Sequence, residues 1–334
     1  MRTLRTTLTG AAFVCLCFAP LPADDMPALS ETDRIRLAEA FQIGDELGDR
    51  IWRDWSKAPF AVLLVTPEHE FLIRHPKPSP DFTRIGHDAL LKSDVYVRKR
   101  VNATHLLATF PAVPGSPVST VVIGQAENTD KKTSTPWVVT VLHEHFHQLQ
   151  NSQPTYFQDV EALNLSRGDT SGMWMLDFPF PYDDPDVKQR FERLSRLLAD
   201  ALQADKSELK PKAAAYWKAR LDFEKSLTPD DAKYFSFQAW QEGVARYTEL
   251  RVARLAAKKH KPSEAFHELP DDTQFDRVAE DIETRITVEL STLKLDQYKR
   301  VAFYPLGAGE ALLLDRLKVR WQDRYFTDKF HVGP

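Results

Sequence analysis

Cysteine is almost missing from this chain. There are two in 334 residues, Cys15 and Cys17, and both fall within the first 23. A mature chain beginning after them has neither disulfides nor thiolate ligands, so any metal it holds must take histidine and carboxylate. Long apolar runs are also lacking: beyond the N-terminus none approaches the length needed to span a bilayer. Positive charge is not in excess either, since 44 basic and 48 acidic residues give a formal charge of −4. Losing Arg2 and Arg5 with the leader takes it to −6, which removes the electrostatic reason to expect nucleic acid as a partner. No serine-hydrolase elbow, phosphate loop or dinucleotide fingerprint occurs, and no internal repeat is evident.

Residues 1–23 read as a cleavable signal peptide. Arg2 and Arg5 form a positive n-region, Ala11 to Ala19 an apolar stretch, and Leu21-Pro22-Ala23 a small residue before a cut at Asp24. Neither Cys15 nor Cys17 follows the small residue that a lipoprotein cleavage site needs, so no lipid anchor is expected. The expected product is residues 24–334, secreted or periplasmic, with no membrane span. That length suits one large domain or two lobes.

What the chain does have is His143-Glu144-His145-Phe146-His147. On a helix, His143 and His147 share one face, one turn apart, where both imidazoles reach a single metal ion. Glu144, rotated by about 100°, can face an activated water without ligating the metal. With 10 histidines in the chain, this pattern arises by chance in about two sequences per hundred, so context must decide. Thr135 is a suitable N-cap and Pro136 a suitable first helical residue. Val138, Val141, Leu142, His145, Phe146 and Leu149 then make an apolar stripe, with Thr140, His143, Glu144 and His147 on the other side. His145 points away from the other two histidines and is expected to pack.

Around this segment the pattern predicts an α+β chain. Ser30 and Asp33 form a capping box that opens a helix reaching about Trp55. Strands are expected at 60–65 and 71–74, paired as a hairpin, at 95–101 and 105–110, paired with each other, and at 118–124. Residues 151–186 read as a loop rich in aromatics, Pro, Asp and Gly. Helices are expected near 185–204, 207–226, 229–259, 273–293 and 306–321, the third opening at Thr228-Pro229-Asp230-Asp231. The division that follows is a β-containing lobe with the metal helix, 24–151, and a helical lobe, 152–334.

A catalytic zinc usually has three protein ligands and an open position. The leading third candidate is Glu242, in Trp240-Gln241-Glu242-Gly243-Val244-Ala245-Arg246-Tyr247-Thr248-Glu249; Glu161 and Asp159 are nearer in sequence and stay open. With this segment, the chain resembles the gluzincin metallopeptidases, the thermolysin and aminopeptidase-N-like zincins. The latter carry H-E-x-x-H-Q followed by an E-G-x-A-x-Y-x-E-like segment, matched here by His143 through Gln148 and by Glu242 through Glu249. The resemblance implies that Glu242 ligates zinc and that Glu249 supports a histidine ligand. Apart from the resemblance, Glu242 and Glu249 lie two helical turns apart on one face, and such centres commonly need a carboxylate behind an imidazole. One departure is that Glu242 lies 95 residues after His147, farther than in aminopeptidase-N-like enzymes, with two expected helices inserted between.

Two shorter segments extend the resemblance. Tyr304-Pro305-Leu306-Gly307 is similar to a Y-x-x-G segment whose tyrosine donates to the developing oxyanion; the alternative is a tyrosine capping a core helix. Gly124-Gln125-Ala126-Glu127-Asn128 is similar to a G-x-M-E-N segment whose glutamate binds a substrate's free amino group, although Ala126 replaces the methionine. There the alternative is an ordinary turn after a strand.

The expectation is therefore an exported zinc metallopeptidase with a zincin-like α+β fold and one Zn2+ held by His143, His147 and Glu242. Glu144 would act as general base, Tyr304 as oxyanion donor, Glu249 as support and Glu127 as a substrate contact, with strand 118–124 as the edge that pairs with an extended peptide. The rival readings are a catalytically silent zincin-fold binding protein and a periplasmic metal-binding protein using His143, His145 and His147.

Overall fold

The computed structural model describes residues 27–333; the expected signal peptide lies outside them. The chain is a mixed α+β structure in which helices flank a six-stranded sheet. Its first helix, α1 (Glu31–Ile51), opens as expected: the Ser30 hydroxyl accepts from the Asp33 amide at 3.1 Å. It ends four residues short of Trp55, which sits instead in a separate short turn.

Six strands follow: β1 (Val62–Val65), β2 (His69–Ile73), β3 (Thr83–Asp88), β4 (Ser93–Lys99), β5 (Leu107–Phe110) and β6 (Thr120–Gly124). They are ordered β3-β4-β2-β1-β6-β5, with only β1 and β6 parallel. The expected β1–β2 hairpin is present. The second expected pair is not: β4 lies between β2 and β3, while β5 pairs with β6. Strand β3 went unforeseen because its residues, Thr-Arg-Ile-Gly-His-Asp, are polar and largely exposed at a sheet edge, where no apolar alternation is required. A further correction concerns the edge itself. β6 is buried between β1 and β5, so β5 and not strand 118–124 is the free edge on this side.

The apolar sheet face carries the central helix α2 (Ser134–Asn151), which lies against β5 and β6 and is buried almost all round. The helix starts before Pro136, and Thr135 does not cap it. Instead Asp271 accepts from the Ser134 amide at 3.0 Å and from the Ser134 hydroxyl at 2.6 Å, while the Thr135 hydroxyl reaches Asp272 at 3.2 Å. A carboxylate 137 residues away thus satisfies an orphan N–H of the first turn, which no local pattern could reveal. The opposite sheet face is closed by Leu63, Val65, Leu72, Phe82, Val113 and Val122.

The second half is helical. α3 (Tyr156–Ala162) and α4 (Trp174–Asp177) interrupt the stretch expected to be loop. Then come α5 (Pro185–Gln203), α6 (Leu209–Ser226), α7 (Pro229–Gln238), α8 (Val244–Lys259), α9 (Glu264–His267), α10 (Phe275–Thr292), α11 (Leu295–Tyr298) and α12 (Phe303–Arg316). One turn of π-helix, Ala239–Gly243, joins α7 to α8. Helices α2 and α8 pack directly, while α5 and α6 pack on each other and α5 on α12. The long insertion between the two motifs therefore folds beside the centre without separating its helices. None of the described helices is long and apolar enough to cross a membrane.

Candidate metal centre

Helix α2 delivers His143 and His147 to one spot, their Nε2 atoms 3.2 Å apart. The π turn brings the Glu242 carboxylate to the same spot, with Oε2 3.6 Å from His147 Nε2 and 4.0 Å from His143 Nε2. Tetrahedral ligand bonds of 2.0–2.1 Å would leave donor atoms about 3.3–3.4 Å apart, so the three separations fit one small cation. His143, His147 and Glu242 form the group able to hold a metal ion among the described residues. The competing acid does not approach: Glu161 is exposed on α3, and Asp159 bonds Thr155 and Lys329.

The far nitrogens of both imidazoles are held. His147 Nδ1 lies 2.6 Å from Gln150 Oε1 and 3.2 Å from Gln241 Nε2; the shorter contact, to an acceptor, favours the proton on Nδ1, with the Nε2 lone pair facing the centre. Gln150 in turn donates to the Gln241 carbonyl and to the Tyr325 hydroxyl, tying this histidine to the π turn. His143 Nδ1 stands 2.8 Å from Glu249 Oε1, close but not aligned as a linear hydrogen bond. Glu249 is itself backed by Arg285 at 3.4 Å. Two inward lone pairs at 3.2 Å repel unless a cation or proton sits between them, and the electrostatics favour positive charge there. Burial by itself would depress His147, but Glu242 and Glu144 outweigh it and raise its pKa to about 9. Burial likewise opposes ionisation of Glu242, yet His147, with smaller help from His143 and Arg300, holds its pKa down at about 2.

Glu144 is buried beside the two histidines. Thr109 on β5 places its hydroxyl 2.8 Å from Glu144 Oε2 and 2.9 Å from the Glu144 carbonyl, which orients the carboxylate from the sheet edge. His145 faces the opposite way. Its ring lies flat on Phe60 at 3.7 Å, near Trp55, with Nδ1 on Gln148 at 2.8 Å. Burial lowers its pKa to about 3, so it is a neutral core residue and not part of the centre.

Tyr304 stands in the first turn of α12, and a pair of glycines brings it to Glu242. A Cβ on Gly307 would meet the Ala239 carbonyl oxygen at 2.1 Å, and one on Gly243 would meet the Gly307 Cα at 2.5 Å. Helix α12 thus crosses the π turn at backbone contact. Burial and the Glu242 carboxylate push the Tyr304 phenol well above its ordinary range, so at neutral pH it is a donor. Glu127 lies elsewhere: its carboxylate pairs with Arg36 Nη1 at 2.9 Å, beside Asp271 and Ser134. Gly124 also has a local cause, since the Thr104 carbonyl oxygen would lie 1.8 Å from an added Cβ.

Several neighbours were not foreseen from the sequence. Thr109, Gln150, Tyr325 and Arg300 reach the centre only through tertiary packing; of these, only Gln150, one turn after His147 on a helix already inferred, could have been picked out beforehand. A separate open hollow of about 550 Å³, bounded by Ser30, Asp33, Glu68, His69 and Gln125, shares no residue with the centre.

No protein-family model, curated protein or solved structure matches the chain.

Proposed function

We propose that the protein is an exported zinc-dependent peptidase of gluzincin type on a zincin-like fold, acting on peptide or protein substrates. The observation that carries this reading is the meeting of His143 Nε2, His147 Nε2 and Glu242 Oε2 within 4.0 Å of one another, with Glu144 on the next position of the same helix. A His2Glu donor set with an open position suits zinc and hydrolysis. A zinc ion held there would polarise both a water and the scissile carbonyl. Glu144 takes the proton of the attacking water and returns it to the leaving amine, and Thr109 keeps that carboxylate aimed. Tyr304 keeps its proton and donates a hydrogen bond to the developing oxyanion. Glu249 fixes the His143 ring. The outer side of β5 pairs with no strand among the described residues, and an extended peptide would add to the sheet there. Export rests on the leader at 1–23.

The test is metal analysis and peptide-library hydrolysis by the mature protein, by Glu144→Gln and by Glu242→Ala. Glu144→Gln should retain metal and lose about 100- to 10,000-fold in rate, the span of general-base catalysis. Glu242→Ala should bind metal more weakly. Full activity in Glu144→Gln would sink the mechanism, and unchanged metal affinity in Glu242→Ala would remove that ligand.

A further inference from the structure

Two guanidinium groups flank the Tyr304 ring, and they differ in one respect. Arg246 lies 5.8 Å from the ring centroid and is neutralised by Glu289. Arg300 lies 5.6 Å from it and donates through Nη1 to the Tyr304 hydroxyl. No carboxylate stands within ion-pair distance of Arg300 among the described residues, and its Nε and Nη2 make no protein hydrogen bond yet are not sealed from solvent. Its charge bears on the phenols of Tyr182, Tyr234 and Tyr304 and on the carboxylate of Glu242 in the candidate centre. Lys299, just before Arg300, sits at φ 48° and ψ −130°, a sparsely populated region for a non-glycine residue that persists only where the surrounding structure holds it.

A half-buried guanidinium with free donors and no counter-ion is a receptor for a planar anion. Arg300 already touches the Tyr304 hydroxyl through Nη1, so the free Nε and Nη2 of the same group lie beside the phenol that the peptidase reading turns toward the reacting carbonyl. We infer that Arg300 binds a carboxylate of the substrate adjacent to the scissile bond, making the enzyme selective for peptides that carry a negative charge there. Resting on the peptidase reading, this has two chemical sources, a free C-terminus or an Asp or Glu side chain. Both present the same two oxygens to the same fork.

The experiment uses zinc-loaded Glu144→Gln protein, which binds without turnover, and calorimetry with four probes. These are one short apolar peptide as free acid and as C-terminal amide, and the amide again with glutamate or glutamine at an internal position. The expected result is about 10- to 100-fold tighter binding of one acidic probe over its neutral partner, the span of a charge-assisted bidentate contact. A free-acid preference identifies the C-terminus as the source; a glutamate preference identifies the side chain. Adding Arg300→Gln should collapse the ratio to near one, Arg300→Lys should restore part of it, and Tyr304→Phe, which keeps the guanidinium, should leave the preference in place. Equal affinity within both pairs, or a preference that survives Arg300→Gln, overturns the inference. Hydrolysis of the same probes by the unmodified protein is scored separately. A charge preference without any cleavage would retain Arg300 as a carboxylate receptor and defeat the peptidase reading instead.

Discussion

At the residue scale, one helical turn separates three histidines into two fates. His143 and His147 meet at their Nε2 atoms, while His145, two residues from each and so rotated by about 200° around the helix, lies stacked on Phe60 in the core. The 3.6-residue repeat forces that outcome once the apolar stripe of α2 is fitted to the sheet, so this division was legible in the chain itself. The placement of Glu249 behind His143 was legible from the spaced segment and from its sharing a helix face with Glu242, and its geometry gives it a measurable consequence. Glu249→Gln should weaken metal binding about 10- to 100-fold, the usual cost of losing a carboxylate behind an imidazole. Competition titration with a chromophoric chelator reads this directly, and Glu161→Gln should not change it. An unaltered affinity in Glu249→Gln would reduce that residue to a partner of Arg285.

At the element scale, the centre depends on how closely α12 crosses the π turn. Gly243 and Gly307 approach so nearly that neither position has room for a Cβ, and the obstructing atoms are backbone, which cannot swing aside. Gly307→Ala should therefore destabilise the protein by about 1–3 kcal/mol or more and also weaken metal binding, because the turn it pushes on carries Glu242. Thermal melts and the same chelator titration check both effects; a melt identical to that of the parent would mean that the helices shift freely. The two glycines were visible in E-G-x-A-x-Y-x-E and in Tyr304-x-x-Gly307, but nothing local indicates that they touch each other. The π turn was equally hidden. The 229–259 stretch reads as one helix, and the extra residue in its turn at 239–243 is the kind of irregularity that accompanies functional positions.

At the scale of the whole molecule, the candidate metal site links three parts of the chain that are far apart in sequence: α2, the π turn with α8, and, through Tyr304, the start of α12. A ligand that binds only the folded arrangement stabilises it by mass action, by about 2.7 kcal/mol when free metal exceeds its dissociation constant 100-fold. Chelator-treated protein should accordingly melt at a lower temperature than metal-saturated protein, and the gap should close in Glu242→Ala, which lacks one of the three donors. Differential scanning calorimetry across a metal series decides it. Identical melting with and without metal would show that the cluster does not bind an ion in the folded state.

What the sequence determined alone is local and periodic: the helix bearing His143, Glu144 and His147, the Ser30 and Thr228 starts, the helical second half and the β1–β2 hairpin. Each rests on side-chain spacing against a fixed backbone repeat, which operates within about a dozen residues. What only the tertiary structure decided is which distant groups meet. Asp271 caps α2, β5 rather than β6 forms the sheet edge, Glu242 rather than Glu161 faces the histidines, Thr109 aims Glu144, and Glu127 is taken by Arg36. Those pairings follow from burying apolar faces of segments that lie tens to hundreds of residues apart, and a short-range pattern carries no record of them.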